Sequence, residues 1–562
     1  MRYLIVGAVA GGASAAARLR RLDEHAEILI FERGKFISYA NCGLPYYIGN
    51  VIKDRNKLFV QTAASFNKRF NIDVRIQTEV LSIDIAGKKV KAKNLRTGVT
   101  YEEAYDKLVL SPGAEPVKPP LPGIDTPGIF TLRNVADTDY IKSFIGNSQV
   151  KSAVIIGAGF IGLEMAENLH HAGLQVTIAE MGNQVLAPVD IPMAAIVQQH
   201  LRAKGVRLLL NTAVSGFEKQ EKGLSVQFTN KDAITTDIVI LSIGVRPDTR
   251  LAADAGLRIG PARGIFVNEF LQTSDPDVYA VGDAIEFANP ITGNQMITYL
   301  AGPANKQGRI CANNIAGGNS ETYKGAVNTA ILKVFELTAG ATGMASKHLV
   351  ATGIPHIVST THSGAHAGYY PGSRDMTIQS VFSPGDGRLL GAQIVGYEGV
   401  DKRLDVLSML IQQKGTVHDL AAFEHAYAPP FSSAKDPVNM AGFVAENILA
   451  DKLHVFYWDQ LPQNAASYTL VDVRSADEYL AGAIDGAINI PVDSIRERLD
   501  ELSKAMPVYI YCEAGIRGYL AQRILRQSGF DRVFNLSGGY RLWKTLKEES
   551  RITDEVNKIV NQ

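Results

Sequence analysis

The same short grammar is written twice in this chain. An apolar run, Tyr3-Leu4-Ile5-Val6, leads into a glycine-rich turn from Gly7 to Gly12, an alanine-rich helical stretch to about Leu22, and a second apolar run, Ile28 to Phe31, closed by Glu32. The pattern returns at Ala153 to Ile156, Gly157 to Gly162, a helical stretch to about His171 stopped by Gly173, and Val176 to Ala179 closed by Glu180. Strand, glycine turn, helix, strand is a βαβ unit, which requires a parallel sheet and leaves free backbone N–H groups at the helix start where a pyrophosphate binds. A chain with two such units is α/β and is predicted to hold two dinucleotides.

The second unit matches G-x-G-x-x-G in full. Gly157 makes the turn, Gly159 lets backbone approach the pyrophosphate, and Gly162 lets the helix pack on the strand. Glu180 stands where a carboxylate accepts hydrogen bonds from an adenosine ribose, and it would repel a 2′-phosphate, which favours NADH over NADPH. The first unit has Val9 where the second glycine belongs. Glu32 at the end of its second strand and the later Gly282-Asp283 complete an FAD pattern, with Glu32 on the adenosine ribose and Asp283 on the ribityl chain. The expected FAD residues are Gly7, Gly11, Gly12, Glu32, Arg33, Ala114, Gly282 and Asp283. The expected NAD(P)H residues are Gly157, Gly159, Gly162 and Glu180.

At 562 residues the chain is too long for one core, and 57 basic residues balance 57 acidic ones, which argues against nucleic-acid or membrane-surface binding. No apolar run reaches the length of a spanning helix or a signal-peptide core. Three scattered cysteines give no disulfide framework, no iron-sulfur pattern and no metal site, and a cytoplasmic location is expected. The predicted domains are FAD-binding (1–117 and 241–324), NAD(P)H-binding (118–240), an α+β dimerisation domain (325–445), a linker (446–460) and a C-terminal α/β domain (461–562). A helical stretch is expected around Ala445 to Leu453.

Cys42 lies in Ser38-Tyr39-Ala40-Asn41-Cys42-Gly43-Leu44-Pro45, downstream of the first fingerprint. With the two fingerprints, Gly282-Asp283 and Tyr427-Ala428-Pro429-Pro430, this loop makes residues 1 to about 445 resemble the pyridine nucleotide-disulfide reductases, most closely the coenzyme A-disulfide reductases and NADH-dependent persulfide reductases. Glutathione-reductase-like members pair two cysteines beside the flavin. Here Cys42 stands alone, so its oxidised form must be a mixed disulfide, a persulfide or a sulfenic acid. The peroxidase and oxidase branch carries a histidine in the first glycine turn, where this chain has Ala10.

The resemblance to the CoA branch implies coenzyme A contacts from Ser14, Arg18, Arg21, Ser38, Asn41, Asn305 and Lys435. Arg18 and Arg21, three apart, can share one helical face with Ser14. It also implies a homodimer in which Tyr427 and Tyr369, or the adjacent Tyr370, reach the partner's reactive cysteine and donate a proton to the leaving sulfur. Cys311, in a helical stretch without glycine turn or charge, reads as a buried structural cysteine.

From about Trp458 the chain resembles a single rhodanese domain, through Asp472-Val473-Arg474, Gly482 to Pro491, the loop Cys512-Glu513-Ala514-Gly515-Ile516-Arg517 and Ser537-Gly538-Gly539. A loop between strand and helix turns backbone N–H groups toward a sulfur anion. Its six residues favour sulfane-sulfur transfer, since phosphatases of the related fold use one more. Cys512 and Arg517 join Cys42 as expected catalytic residues. The expected activity is NADH-driven, FAD-dependent reduction of CoA persulfide, other persulfides or polysulfides, and CoA disulfide, with Cys512 supplying sulfane sulfur. An NADH oxidase or peroxidase, or a redox-sensing sulfur-carrier module, is the alternative.

Overall fold

The computed structural model describes residues 1–147 and 149–559, which divide into two compact units, Met1–Ala179 with Ala213–Asn328 and Glu180–Thr212 with Thr329 onward. The mixed α/β architecture is the one expected. Both βαβ units form where the sequence places them.

In the first unit, strands 278–280, 107–110, 2–6, 27–32 and 73–76 lie side by side in that order, every neighbouring pair parallel. Leu4, Ile5, Leu29 and Ile30 are at most 1% exposed. The central strands read as continuous apolar runs because both faces of the sheet are covered, each such side chain contributing about 1.5–3 kcal/mol. The helix Ala10–Leu22 follows strand 2–6 and ends in Arg20 and Arg21, cations at the negative end of its dipole. It packs lengthwise on the helix Ala301–Gly317. Strands 175–179, 152–156, 238–241 and 129–131 form a second parallel arrangement, followed by the helix Phe160–His171. Glu180 lies just beyond the strand it was expected to end.

The second unit holds a five-stranded antiparallel sheet in the order 330–334, 337–343, 389–396, 375–382, 357–364. Strand 389–396 is buried at every position, because helices 400–412 and 191–203 both pack on it. The helix expected around Ala445 to Leu453 instead spans Pro437–Leu449. Asp436 caps its start by accepting from Val438 N, Pro437 suits the first position, and Asp451 turns left-handed (φ 55) beyond its end.

The C-terminal part forms a parallel sheet in the order 455–456, 533–536, 508–511, 469–472, 488–489, with helices 476–480, 516–527 and 539–559. It is fastened to the antiparallel sheet within the same unit. Tyr457 Oη donates to Val358 O (2.9 Å), Thr360 N to Ser537 Oγ (3.2 Å), and His362 Nε2 to Gly538 O (2.9 Å). Gln198 Nε2 donates to the buried Glu549 carboxylate (3.0 Å), joining helix 191–203 to helix 539–559.

Candidate functional site

The first unit contains a cleft of about 1080 Å³ along the C-terminal ends of strands 2–6 and 27–32. Its floor is backbone. Gly7 (φ +95) turns left-handed, and a Cβ on Gly12 would collide with the Gly7 carbonyl. Those positions admit only glycine, and they bring the N-terminus of helix 10–22 to the cleft. Gly157 (φ +98) and Gly162 repeat the geometry in the second fingerprint, with Gly159 open at the helix start.

Gly7, Gly11, Glu32, Arg33, Gly282 and Asp283 all line the cleft. Glu32 accepts from Ala8 N (3.1 Å) and Gly34 N (2.7 Å), fixing its carboxylate at the strand end. Burial pushes Asp283 above the usual carboxylate range, opposed by Arg133. Arg33 pairs with Glu115 and more loosely with Asp248 (3.8 Å). Ala114 is buried, and its carbonyl accepts from Arg133 Nε (2.5 Å). A cleft of this volume with a glycine floor, a helix N-terminus and the carboxylates of Glu32 and Asp283 in its lining fits an extended dinucleotide.

Cys42 is exposed and opens into the same cleft, with Ser38 and Asn41 beside it. The loop is held by backbone: Ser38 N donates to Ala8 O (2.8 Å), and Ser38 O accepts from Val60 N (2.9 Å). Ser38 is left-handed (φ 43), a conformation these bonds impose on a residue that otherwise avoids it. Ser14 Oγ and Asn305 Oδ1 meet at 2.5 Å, so two residues nearly 300 apart in sequence share one wall. Arg21 lines the cleft as well. Arg18 is absent from that lining, and its guanidinium is engaged by Asn313 Oδ1 (2.8 Å).

Several residues at this site were not singled out by sequence reasoning. Arg133 lines the cleft, and in the amide orientation that satisfies both its atoms Asn41 donates to Arg133 O (3.0 Å) and accepts from its guanidinium (3.3 Å). Glu164, on the second fingerprint helix, is pushed up to about 7 by burial and accepts from Tyr46 Oη (3.4 Å). The Cys42 thiol is itself raised, first by burial and then by the Glu164 and Asp283 carboxylates. Only Glu164 had a sequence signal, an acid two residues past Gly162. Cys311 is fully buried, and burial pushes its thiol up.

In the second unit, Tyr369 and Tyr427 share a hydrogen bond between their phenol oxygens (2.9 Å) and are 77% and 48% exposed. Their loops are tied at the base by Arg403, which is 2% exposed. It donates to the Asp436 carboxylate (2.7 Å), Ala365 O (2.9 Å) and Gly399 O (3.1 Å), and Ser432 Oγ donates to Asp436 (2.6 Å). Lys435, next to Asp436, is exposed.

Cys512 directly follows strand 508–511 and is 1% exposed, and Gly515 N donates to its sulfur at 3.1 Å. Gly515 (φ +114) turns the loop into the helix Ile516–Gln527. Arg517 is bound in bidentate fashion by Glu478 (2.6 and 2.7 Å).

Residues 1–308 match the pyridine nucleotide-disulphide oxidoreductase family, and residues 329–437 match the dimerisation domain of the same family. The chain belongs to the pyridine nucleotide-disulphide oxidoreductases. Residues 457–546 match the rhodanese-like domain. The cofactors of this family, FAD and NAD(H), are those the two fingerprints called for. A coenzyme A disulfide reductase of Staphylococcus epidermidis is 36% identical over 447 residues, 79% of this chain and all of that protein. An NADH oxidase of Methanocaldococcus jannaschii is also 36% identical, over 80% of this chain and all of that protein. Among solved structures, reduced Bacillus anthracis CoADR-RHD is 46% identical, covering 98% of both chains with a TM-score of 0.95. A NAD-dependent persulfide reductase from A. fulgidus is 37% identical, covering 97% of this chain and all of that one with a TM-score of 0.91. No helix among the described residues is long and apolar enough to cross a membrane.

Proposed function

We propose that the protein is a homodimeric, cytoplasmic flavoenzyme that uses NADH to reduce CoA persulfide, related persulfides and polysulfides, with CoA disulfide as a further substrate. The observation that carries this reading is the presence of two different sulfur sites in one chain: Cys42 open to a dinucleotide-sized cleft, and Cys512 enclosed in a six-residue backbone loop. Bound FAD would pass the reducing equivalents of NADH to sulfur carried on Cys42.

The residues of the chain supply binding and proton handling. Glu32 would hold the adenosine ribose of FAD and Asp283 its ribityl chain, and Glu180 would hold the adenosine ribose of NADH. Ser14, Arg21 and Asn305 line the path of the CoA nucleotide, and Arg18 and Lys435 are further candidates for its phosphates. Cys42 attacks a substrate sulfur as the thiolate; the bond broken is the substrate S–S bond, and the leaving sulfur departs as a thiolate or as hydrosulfide. Glu164, poised near neutrality, is suited to take the Cys42 proton. The Tyr369–Tyr427 pair of one subunit serves the other subunit's thiol by protonating the leaving sulfur. Cys512 accepts sulfane sulfur and passes it to CoA.

The test is anaerobic NADH oxidation by the FAD-loaded protein with CoA persulfide, wild type against Cys42→Ser. Fast oxidation lost in the variant supports the reading. The similarity to an NADH oxidase favours a second reading, in which oxygen is the acceptor; turnover with oxygen or peroxide but none with sulfur species would establish it and overturn the first.

A further inference from the structure

The mouth of the Cys512 loop carries an unusual distribution of charge. Three guanidinium groups surround it, yet each is already matched by a carboxylate. Arg517 is held by both oxygens of Glu478. Arg541 is shared between Asp375 (2.5 Å) and Glu513 (3.4 Å), and the buried Arg474 between Asp472 (2.7 Å) and Glu513 (3.6 Å). Four carboxylates therefore face three cations, and no guanidinium is left over for an incoming anion.

The rim adds a second observation. Ile516 and Leu520, one turn apart on the helix that leaves the loop, are 59% and 48% exposed, and Leu480, two residues beyond Glu478, is 80% exposed. The entrance to a 1%-exposed sulfur is thus charge-neutral to slightly acidic and apolar at its edge. A small dianion entering it would lose hydration with no free cation in exchange, whereas an alkyl persulfide would lose little.

We propose that Glu478 and Glu513 are specificity-determining residues that set the Cys512 site to take sulfane sulfur from organic persulfides and to discriminate against thiosulfate. This rests on the reading of Cys512 as a sulfur acceptor. In the favoured step the Cys512 thiolate attacks the outer sulfur of R–S–SH; the S–S bond of the donor breaks, RS⁻ leaves, and Cys512–S–SH forms with no change in total charge. With thiosulfate the same attack would release sulfite. Glu513 follows the nucleophile directly, and Glu478 engages, with both its oxygens, the guanidinium of Arg517 at the far end of the same loop.

The experiment uses full-length, FAD-loaded protein in a Cys42→Ser background, so that only Cys512 can carry sulfur, and measures thiocyanate formed from cyanide. The donors are thiosulfate and the persulfide of 2-mercaptoethanol. We expect kcat/KM for the persulfide to exceed that for thiosulfate by at least about tenfold. Glu478→Gln, which retains the side-chain bond to Ser475 N that caps helix 476–480, should raise the thiosulfate-to-persulfide ratio of kcat/KM roughly fivefold, the scale of one partly exposed charge pair. Glu513→Gln provides the independent second variant, with the same expected direction. Equal use of both donors by the parent protein, or no rise of that ratio in either variant, would overturn the proposal while leaving Cys512 a sulfur carrier. No thiocyanate from any donor would overturn the carrier role itself, and the proposal with it.

Discussion

Replacing Arg403 by methionine should unfasten the two loops that carry Tyr369 and Tyr427. The side chains of Arg403 and Asp436 are 2% and 4% exposed, so neither charge has water to fall back on. Methionine fills much of the same space but leaves Asp436 with only Ser432 Oγ and Val438 N as donors, and strips the Ala365 and Gly399 carbonyls of theirs. Breaking a buried pair from one side costs about 3–5 kcal/mol, the loss of each carbonyl partner accounting for roughly 1 kcal/mol of it. The assay is hydrogen exchange read by mass spectrometry on peptides covering strand 375–382 and helix 400–412. Local opening should become easier by a factor of about 10²–10⁴. The double variant Arg403→Met/Asp436→Leu should recover most of the loss, because it removes the stranded carboxylate as well as its partner. A change under about tenfold in the single variant, or a double variant worse than the single, would refute the account of this pair as the fastening point.

Glu164→Gln removes an anionic neighbour of Cys42, so its thiolate should form at lower pH; the rate of iodoacetamide alkylation against pH should shift to the acid side. His362 sits neutral in the seam between the two sheets of the second unit, its Nδ1 accepting from Thr377 Oγ1 (2.9 Å), with its pKa lowered by burial to about 4. The unfolded imidazole titrates near 6.5, so this group's contribution is whole above that pH and is lost as pH falls from 6.5 toward 4, about 3 kcal/mol in all. Acid unfolding of the wild type should show that dependence, and His362→Gln should flatten it. A Cβ on Gly308 would press on the Gly11 carbonyl and on Ser14 Cβ (3.0 Å). Gly308→Ala should therefore part helices 10–22 and 301–317 at a cost of about 1–3 kcal/mol and weaken FAD retention, measured by flavin fluorescence, while Gly302→Ala, with open space around it, should not.

The two βαβ units were legible because their signal is local: an apolar run, a left-handed glycine, a helix and a strand-end acid within about thirty residues. Cys42 and Cys512 were legible for the same reason, each lying in a short loop of distinctive composition. The helix of 437–449 was misplaced because its start is set by Asp436, whose side chain also serves the distant Arg403. Arg133 and Tyr46 carried no local signal at all; one acts through Asn41 and the Ala114 carbonyl, the other through Glu164, and pairings across such separations leave no periodicity. The fastening of the C-terminal sheet through His362 and Tyr457 was equally invisible, since a histidine inside a strand reads as ordinary alternation.

The placement of strand 278–280 beside strand 107–110, and of helix 301–317 along helix 10–22, bears on how the molecule is made. The ribosome delivers the N-terminal glycine turn first and the Asp283 part of the cleft more than 270 residues later. At about 5–20 residues per second the emerging chain spends tens of seconds with half a nucleotide site and an uncovered sheet edge. Flavin can be captured only once helix 301–317 has cleared the exit tunnel, whereas the rhodanese-like segment is not yet synthesised. Loading of the cofactor thus precedes completion of the second sulfur site, and a nascent chain arrested near residue 360, with helix 301–317 outside the tunnel, should already be yellow.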